Sequence, residues 1–388
     1  MSLLMVAGHA GEAVKERMMV VFRADASLQI GSGHVMRCLT LADALKAKDV
    51  ECHFICRAHP GNLLDYIKDK GYSTYAIPIM QKGKAKSRDA SLLQQTELVQ
   101  LSHAHWLDVS QQQDADECVP ILSELQPDWL IVDHYALDAC WESALQPHYR
   151  KLMVIDDLAD RPHTCDVLVD QTFGRKADDY LPKVPTGCRV LCGSQYALLR
   201  PEFAALRQYS LKRRETRQMQ SLLVNMGGVD RNNATGKVMQ ALRHCDLPVS
   251  CSITVVMGTS APWLSEVRLQ AEQMPWPTDI RVGVSNMAQL MADSDLAIGA
   301  AGSTSWERCC LGLPTVMIVL ADNQRQVAQS LERVGAAVAI DQEQIAESLP
   351  TLLAPLASLS IPRLAMGQVA AGITDGCGVT AVIQYLDL

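Results

Sequence analysis

The segment from residue 23 to residue 37 carries the side chains best suited to chemistry. It reads Arg-Ala-Asp-Ala-Ser-Leu-Gln-Ile-Gly-Ser-Gly-His-Val-Met-Arg and lies between the first apolar run and the first helical pattern. Gly31 and Gly33 allow a ligand to approach the backbone, and the unpaired amides of the following helix suit a phosphate. His34 lies at the positive end of that helix, which favours the neutral imidazole that a general base requires. The alternative is an ordinary strand-to-helix turn in which Gly33 only fits the bend.

A second loop of small residues precedes a helix in the other half of the chain, in Gly-Ala-Ala-Gly-Ser-Thr-Ser-Trp-Glu from residue 299 to residue 307. Ser303 or Ser305 can cap this helix, so that its amides face a diphosphate. Glu307 can then accept hydrogen bonds from ribose hydroxyls. The competing interpretation is a capping box formed by Thr304 and Glu307.

Two more features could complete an anion site. Gly227 and Gly228 follow an apolar run and form a turn that could admit a ligand between the two halves. Arg37 and Arg200 are candidate counter-charges for the diphosphate. Each arginine could equally be solvated or paired with a carboxylate.

Two common nucleotide-binding motifs are absent. A dinucleotide fingerprint would need glycine where Met36 stands, and the second apolar run is followed by no acid that could bind ribose. The glycine-lysine pair at residues 236–237 lacks the earlier glycine of a Walker A loop. Asp156 and Asp157 have no further carboxylate at a recognisable spacing for a divalent cation. We therefore expect no cofactor and no essential metal.

Composition bounds the class of protein. The chain has 388 residues, of which 48% are hydrophobic, and a net charge of −8, which is typical of a globular protein and argues against a nucleic-acid partner. The thirteen cysteines have neither zinc-ligand nor redox spacing, so we expect reduced thiols in the cytoplasm. Residues 1–18 have no basic leader and no stretch long enough to span a bilayer, so we interpret them as an extension outside the fold and expect no membrane partner. Oligomeric state is not indicated, and a monomer is compatible with the sequence.

Short apolar runs alternate with amphipathic segments, a pattern that predicts parallel sheets covered by helices. Strands are predicted at residues 20–22, 52–56, 75–79, 129–133, 222–226, 253–257, 296–299 and 315–319, and helices at 35–48, 63–70, 233–243, 287–292, 305–311 and 324–334. The stretches 121–126, 137–146 and 152–156 continue the alternation without a type of their own. A polar, basic segment at 206–220 divides the series. The sequence therefore predicts an α/β protein with two doubly wound Rossmann-like domains, 19–205 and 206–388, which face each other across a ligand crevice.

Together these residues resemble the UDP-2,4-diacetamido-2,4,6-trideoxy-β-L-altropyranose hydrolases of pseudaminic acid biosynthesis. The segment 23–37 looks like their amino-terminal signature, with supporting matches at residues 133–135, 156–157, 192–200, 226–228 and 323–324. The resemblance runs from about residue 19 to at least residue 335. It is weaker between residues 81 and 113, where this chain carries additional loop.

The resemblance implies a fold of the glycosyltransferase B type, with UDP held mainly by the carboxy-terminal domain. It implies hydrolysis at the anomeric carbon with inversion, so that UDP-sugar is the substrate and UDP a product. The catalytic histidine of the family falls on His34, and Tyr135 and Asn323 are expected to contact the sugar. A glycosyltransferase of the same fold, a hydrolysing UDP-sugar 2-epimerase and a non-catalytic nucleotide-sugar sensor are the alternatives, because a fold does not determine a function.

Overall fold

Two parallel β-sheets form the framework of the protein in a computed structural model that describes residues 17–79, 101–215 and 218–387. The strands of the first sheet are β1 (Met19–Ala24), β2 (Glu51–Arg57), β3 (Ser73–Ile77), β4 (Trp129–Asp133), β5 (Lys151–Ile155), β6 (Val167–Asp170) and β7 (Arg189–Cys192), in the order 3-2-1-4-5-6-7. Those of the second are β8 (Ser221–Asn225), β9 (Ser252–Met257), β10 (Thr278–Val282), β11 (Leu296–Ala300), β12 (Thr315–Val319) and β13 (Val338–Asp341), in the order 10-9-8-11-12-13.

Helices cover both sheets. They are α1 (Gly33–Lys46), α2 (Leu64–Asp69), α3 (Gln111–Leu125), α4 (Ala139–Leu145), α5 (Pro201–Arg214), α6 (Ala234–Leu242), α7 (Leu264–Ala271), α8 (Met287–Asp293), α9 (Thr304–Cys310), α10 (Arg325–Arg333), α11 (Ile345–Ser358), α12 (Ser360–Ala371) and α13 (Gly378–Ile383). The central strands β4, β11 and β12 are buried along their whole length, which explains why they read as continuous apolar runs rather than as alternating patterns.

The order of the strands reverses between β1 and β4 in the first sheet, and between β8 and β11 in the second. In open α/β sheets, ligands bind beside the carboxyl ends of the strands at such a reversal. In the first sheet Ala24 pairs with Asp133, and in the second Asn225 pairs with Gly299, so the loops that follow each pair begin at the same sheet edge. The predicted fold class, two doubly wound halves, is confirmed.

The structure adds elements that the pattern did not predict. The strands β6, β7, β10 and β13 have only four or five residues each, and the predicted series omits them. The apolar stretch at residues 121–126, which the pattern left without a type, is the end of α3. The predicted strand at 75–79 begins and ends two residues earlier, as β3.

The end of the chain returns to the first half. Val382 and Leu386 lie in the same apolar core as Phe22, and the indole of Trp129 donates a hydrogen bond to the carbonyl of Leu386 at 3.0 Å. This differs from the prediction that residues 206–388 form one carboxy-terminal unit, because the apolar side chains of α13 are buried against the amino-terminal sheet. The predicted boundary after residue 205 falls within α5, and the division into domains stays a prediction.

Parts of the predicted extension and loop lie outside the described residues, namely residues 1–16 of the extension and 81–100 of the additional loop. All thirteen cysteines are described, and each is a free thiol. Within the described ranges no single helix is long and apolar enough to cross a bilayer; the helical segments 342–358 and 360–371 reach that length only together and are bent by 97°.

Candidate active site

Three loops meet where the two halves of the molecule approach each other. The loop of the first half ends at Ser32, just before α1 begins at Gly33, and the two loops of the second half contain Gly228 and Ser303. A Cβ on Gly33 would lie 3.4 Å from Ser303 Oγ, and a Cβ on Gly228 would lie 3.4 Å from Ser32 Oγ. The loops at the two strand reversals therefore lie within contact distance of each other, at the junction of the two halves.

A buried network of charges holds the first of these loops. Arg23 Nη1 donates to Asp25 Oδ1 at 2.6 Å, and Arg23 Nη2 donates to Asp114 Oδ2 at 2.7 Å. Asp25 also accepts from the Arg57 amide at 2.7 Å, and His134 Nε2 lies 3.3 Å from its Oδ2. Burial alone would raise the pKa of Asp25, but the charge of Arg23 and the nearby His134 and His59 hold it well below its ordinary value. The first residues of the signature thus support the loop.

His34 is paired with the carboxylate that ends β4. Its Nδ1 lies 2.6 Å from Asp133 Oδ1, and both residues are buried. Burial alone would raise the pKa of Asp133, but the charges and hydrogen bonds of Arg37 and His34 hold it well below its ordinary value. An ionised carboxylate only accepts, so Nδ1 carries the proton of the neutral ring and Nε2 has a free lone pair. Among the described residues none forms a hydrogen bond with Nε2.

Arg37 lies one turn after His34 and is bound to two carboxylates. Its Nε and Nη2 donate to the two oxygens of Asp133 at 2.5 and 2.7 Å, and its Nη1 donates to Asp157 Oδ2 at 2.5 Å. This differs from the predicted role of a counter-charge for diphosphate, because two carboxylates already neutralise the guanidinium. Arg37 instead holds Asp133 in position against His34.

Tyr135 completes this group. Its ring stands edge-on to the His34 ring, with centroids 4.6 Å apart, and its hydroxyl donates to Asp157 Oδ2 at 2.8 Å. Burial, followed by the charge of Asp157, raises the pKa of Tyr135 well above its ordinary value, so the hydroxyl remains a donor. The structure therefore brings together the predicted residues His34, Arg37 and Tyr135.

Two aromatic side chains near His34 were not predicted as site residues. Trp106 lies 6.0 Å from the His34 ring and is stacked on Tyr135 at 5.6 Å, and His103 lies 4.4 Å from Trp106. Both belong to the segment interpreted as additional loop. The feature of the sequence that could have indicated them is a tryptophan in an otherwise polar stretch.

The loop before α9 differs in detail from the expectation. Ser303 is exposed and precedes the helix, but neither it nor Thr304 forms a side-chain cap, so the capping box is not formed. Ser305 is buried, and its hydroxyl accepts from Arg308 Nη2 at 3.2 Å. In the structure the Ser305 hydroxyl makes a contact inside the helix and does not cap it, and its ligand-binding role stays a prediction. Within the described chain, the amides of Gly302 and Ser303 donate to no other group.

Glu307 and Arg200 form a separate pair in the second half. Arg200 Nη2 lies 3.8 Å from Glu307 Oε1, and Arg200 Nη1 lies 3.1 Å from Glu202 Oε1. Burial raises the pKa of Glu307 above its ordinary value, against the opposing effect of Arg200. Asn323 is exposed, in the short turn that follows β12. No contact joins Arg200, Glu307 or Asn323 to the His34 group in the described residues.

The adjacent carboxylates of Asp156 and Asp157 have different partners. Asp156 accepts from Arg161 and from the Tyr180 hydroxyl, each at 2.8 Å, whereas Asp157 belongs to the group around Arg37. In the part of the chain that the structure describes, no three His, Cys, Asp or Glu side chains are grouped so that they could share a metal ion.

Comparison with known proteins agrees with this architecture. Residues 252–366 match the model of the glycosyltransferase family 28 C-terminal domain. The UDP-2,4-diacetamido-2,4,6-trideoxy-beta-L-altropyranose hydrolase of Campylobacter jejuni is 28% identical over 321 residues, which are 82% of this chain and 97% of that protein.

Two solved structures share the fold. MurG of Acinetobacter baumannii has a TM-score of 0.65 at 16% identity, covering 96% of this chain and 99% of that one. A putative UDP-N-acetylglucosamine 2-epimerase of Listeria monocytogenes has a TM-score of 0.57 at 12% identity, covering 96% of each chain. The resemblance found in the sequence is thereby confirmed: this chain is similar to the UDP-2,4-diacetamido-2,4,6-trideoxy-beta-L-altropyranose hydrolase and has the glycosyltransferase B fold.

Proposed function

We propose that this protein is an inverting, metal-independent hydrolase that cleaves UDP-2,4-diacetamido-2,4,6-trideoxy-β-L-altropyranose into UDP and the free sugar. The observation that carries the proposal is the pairing of His34 with Asp133 at the cleft, which leaves Nε2 without a partner among the described residues. The resemblance of nearly the whole relative to this chain supports the choice of substrate. The reaction would be a step of pseudaminic acid biosynthesis.

The base in this mechanism is His34 Nε2. A water molecule attacks the anomeric carbon, and as the new C–O bond forms, Nε2 takes a proton from the water. Asp133 accepts the hydrogen bond of Nδ1, so it fixes the tautomer and stabilises the imidazolium that forms. A base placed in this way is typically worth about 10²–10⁴-fold in rate.

The second half would hold the leaving group. The bond between the anomeric carbon and the UDP oxygen breaks with its electron pair on the oxygen, and the free amides of Gly302 and Ser303 can donate to the resulting diphosphate. The carboxylate of Glu307 is available to accept from ribose hydroxyls. Because base and diphosphate approach from opposite walls of the cleft, water enters on the face opposite UDP, which inverts the anomeric centre.

A glycosyltransferase is the second candidate, favoured by the match of residues 252–366 to a transferase domain. The two activities differ in the acceptor, so the test is proton NMR of purified protein with the UDP-sugar, EDTA and no acceptor. We expect UDP and free sugar to form, with the inverted anomer appearing first. A substrate that stays intact would contradict hydrolysis, and dependence on a divalent cation would contradict metal independence.

The same spectra distinguish a hydrolysing 2-epimerase, the third candidate. An epimerase changes the configuration at C2 of the released sugar, whereas simple hydrolysis leaves it unchanged. We expect the couplings of the C2 proton to report the original configuration once mutarotation of the product is complete.

A further inference from the structure

An uncharged aromatic surface lies beside His34, and the mechanism above leaves it without a role. Trp106, Tyr135 and His103 form this surface, which we call the aromatic wall. The rings of Trp106 and Tyr135 are stacked at 5.6 Å with 24° between their planes, and His103 lies 4.4 Å from Trp106 and 5.4 Å from Tyr135. The Trp106 ring stands edge-on to His34 at 6.0 Å. The wall is therefore continuous with the proposed base.

The polar groups of the wall are turned away or neutral. The Tyr135 hydroxyl is bound to Asp157 at 2.8 Å. Burial lowers the pKa of His103, which favours its uncharged ring. Of the neighbouring cations, Arg161 lies 5.8 Å from the Tyr135 ring and donates to Asp156, and Arg37 is bound to Asp157. What the wall offers a ligand is mainly the carbon surface of its rings.

The residues that follow Trp106 anchor the aromatic wall to the first half, while the Trp106 ring itself is partly exposed. Leu107, next to Trp106, is 1% exposed in the core of the first half, and Asp108 Oδ2 lies 3.2 Å from His59 Nδ1. Trp106 itself is half-buried, so described residues leave part of its ring uncovered. An aromatic face beside the base can be reached by the sugar whose anomeric carbon is attacked. The nucleotide, in contrast, is assigned to the second half of the molecule.

We propose that Trp106 is a specificity-determining residue that packs against a methyl group of the sugar, either in an acetamido substituent or in place of the hydroxymethyl group. The proposal rests on the hydrolase function and deepens it. A methyl group gains from burial against an aromatic face. A hydroxyl packed against the carbon face of the ring would lose water without gaining a hydrogen bond from that face, so we expect the wall to select against hydroxylated sugars.

The test compares Trp106→Ala, Trp106→Phe and the control His105→Ala, which changes an exposed neighbour on the same turn. Removing a contact of this size typically costs about 10–100-fold in kcat/KM. We expect Trp106→Ala to show this loss through KM, with kcat, its pH profile and the dissociation constant of UDP unchanged. Trp106→Phe should restore most of the loss, and His105→Ala should behave as wild type. An unchanged KM, an equal loss of UDP affinity, or a loss in kcat with a displaced pH profile would each overturn the proposal.

Substrate analogues identify the methyl group. Formamido analogues lack one acetamido methyl, and a hydroxymethyl analogue replaces the methyl on C5. The analogue for which wild type and Trp106→Ala have equal KM values identifies the methyl group that contacts the ring. If all analogues keep the difference, no methyl group contacts Trp106 and the proposal is overturned.

Binding measurements separate this proposal from the hydrolase function. In a His34→Ala background, calorimetry compares the dissociation constants of the UDP-sugar and UDP, with and without Trp106→Ala. If Trp106→Ala abolishes the preference for the UDP-sugar over UDP, the result supports the proposed role of Trp106. If the preference is retained, the proposal is overturned. Failure of hydrolysis would appear instead as intact substrate with wild-type protein, on which the same binding comparison can be made.

Discussion

Asp133 is the side chain through which His34 is positioned. It accepts from His34 Nδ1 and is held by both Nε and Nη2 of Arg37, so the imidazole has one tautomer and one orientation. A carboxylate supported in this way acts on the reaction only through the histidine. Its removal should therefore affect catalysis more than binding.

We expect Asp133→Asn to lower kcat strongly, by about 10²–10⁴-fold, because the amide can donate to Nδ1 and reverse the tautomer. The affinity for UDP should be unchanged, since UDP is assigned to the other half. The exposed carboxylate variant Asp65→Asn serves as the control in the same rate and calorimetric measurements. An Asp133→Asn protein that is folded and retains full kcat would contradict the positioning role.

Sequence reasoning identified some members of this group but not their contacts. His34 was selected by its place at the start of a helix, and Tyr135 by the resemblance of its segment to the family. The pairing of His34 with Asp133 joins residues 99 positions apart and depends on β1 and β4 being neighbours, which no local pattern indicates. The catalytic role of His34 stays a prediction.

At the scale of elements, the burial of a strand determined whether its sequence predicted it. Strands β4, β11 and β12 are continuous apolar runs because helices cover both their faces, and all three were predicted. Strand β10 lies at a sheet edge and alternates between half-buried and exposed residues, so its sequence carries little apolar signal. Strands β7 and β13 are also only partly buried, whereas β6 is buried but has only four residues, too few to show a pattern.

The turn at Gly227 and Gly228 is held in place by its neighbour Gly258. A Cβ on Gly258 would lie 1.9 Å from the carbonyl oxygen of Gly228, so any side chain there must displace the turn. We expect Gly258→Ala to destabilise the protein by about 1–3 kcal/mol in urea unfolding and to weaken UDP binding. The control is Gly187→Ala, where no atom lies within 4 Å of the added Cβ. Equal stability and UDP affinity in the two variants would contradict this packing.

At the scale of the whole molecule, the proposed site lies between the two halves. Arg175 Nη2 donates to the Asp157 carbonyl at 2.9 Å and to Gln326 Oε1 at 3.0 Å, so it links the first half to α10. Near the cleft, Gly33 faces Ser303, and Gly228 faces Ser32. The sequence predicted a crevice from two doubly wound halves. It could not predict which loops meet there, because contacts between the halves follow no sequence period.

This arrangement divides the proposed work between the halves, with the base in one and the nucleotide in the other. The most direct test is the rate of UDP release by His34→Ala, measured with the dissociation constant of UDP, against wild type and the exposed-histidine control His244→Ala. The account predicts that His34→Ala loses about 10²–10⁴-fold in turnover and binds UDP as wild type does. Wild-type turnover in His34→Ala would contradict the account.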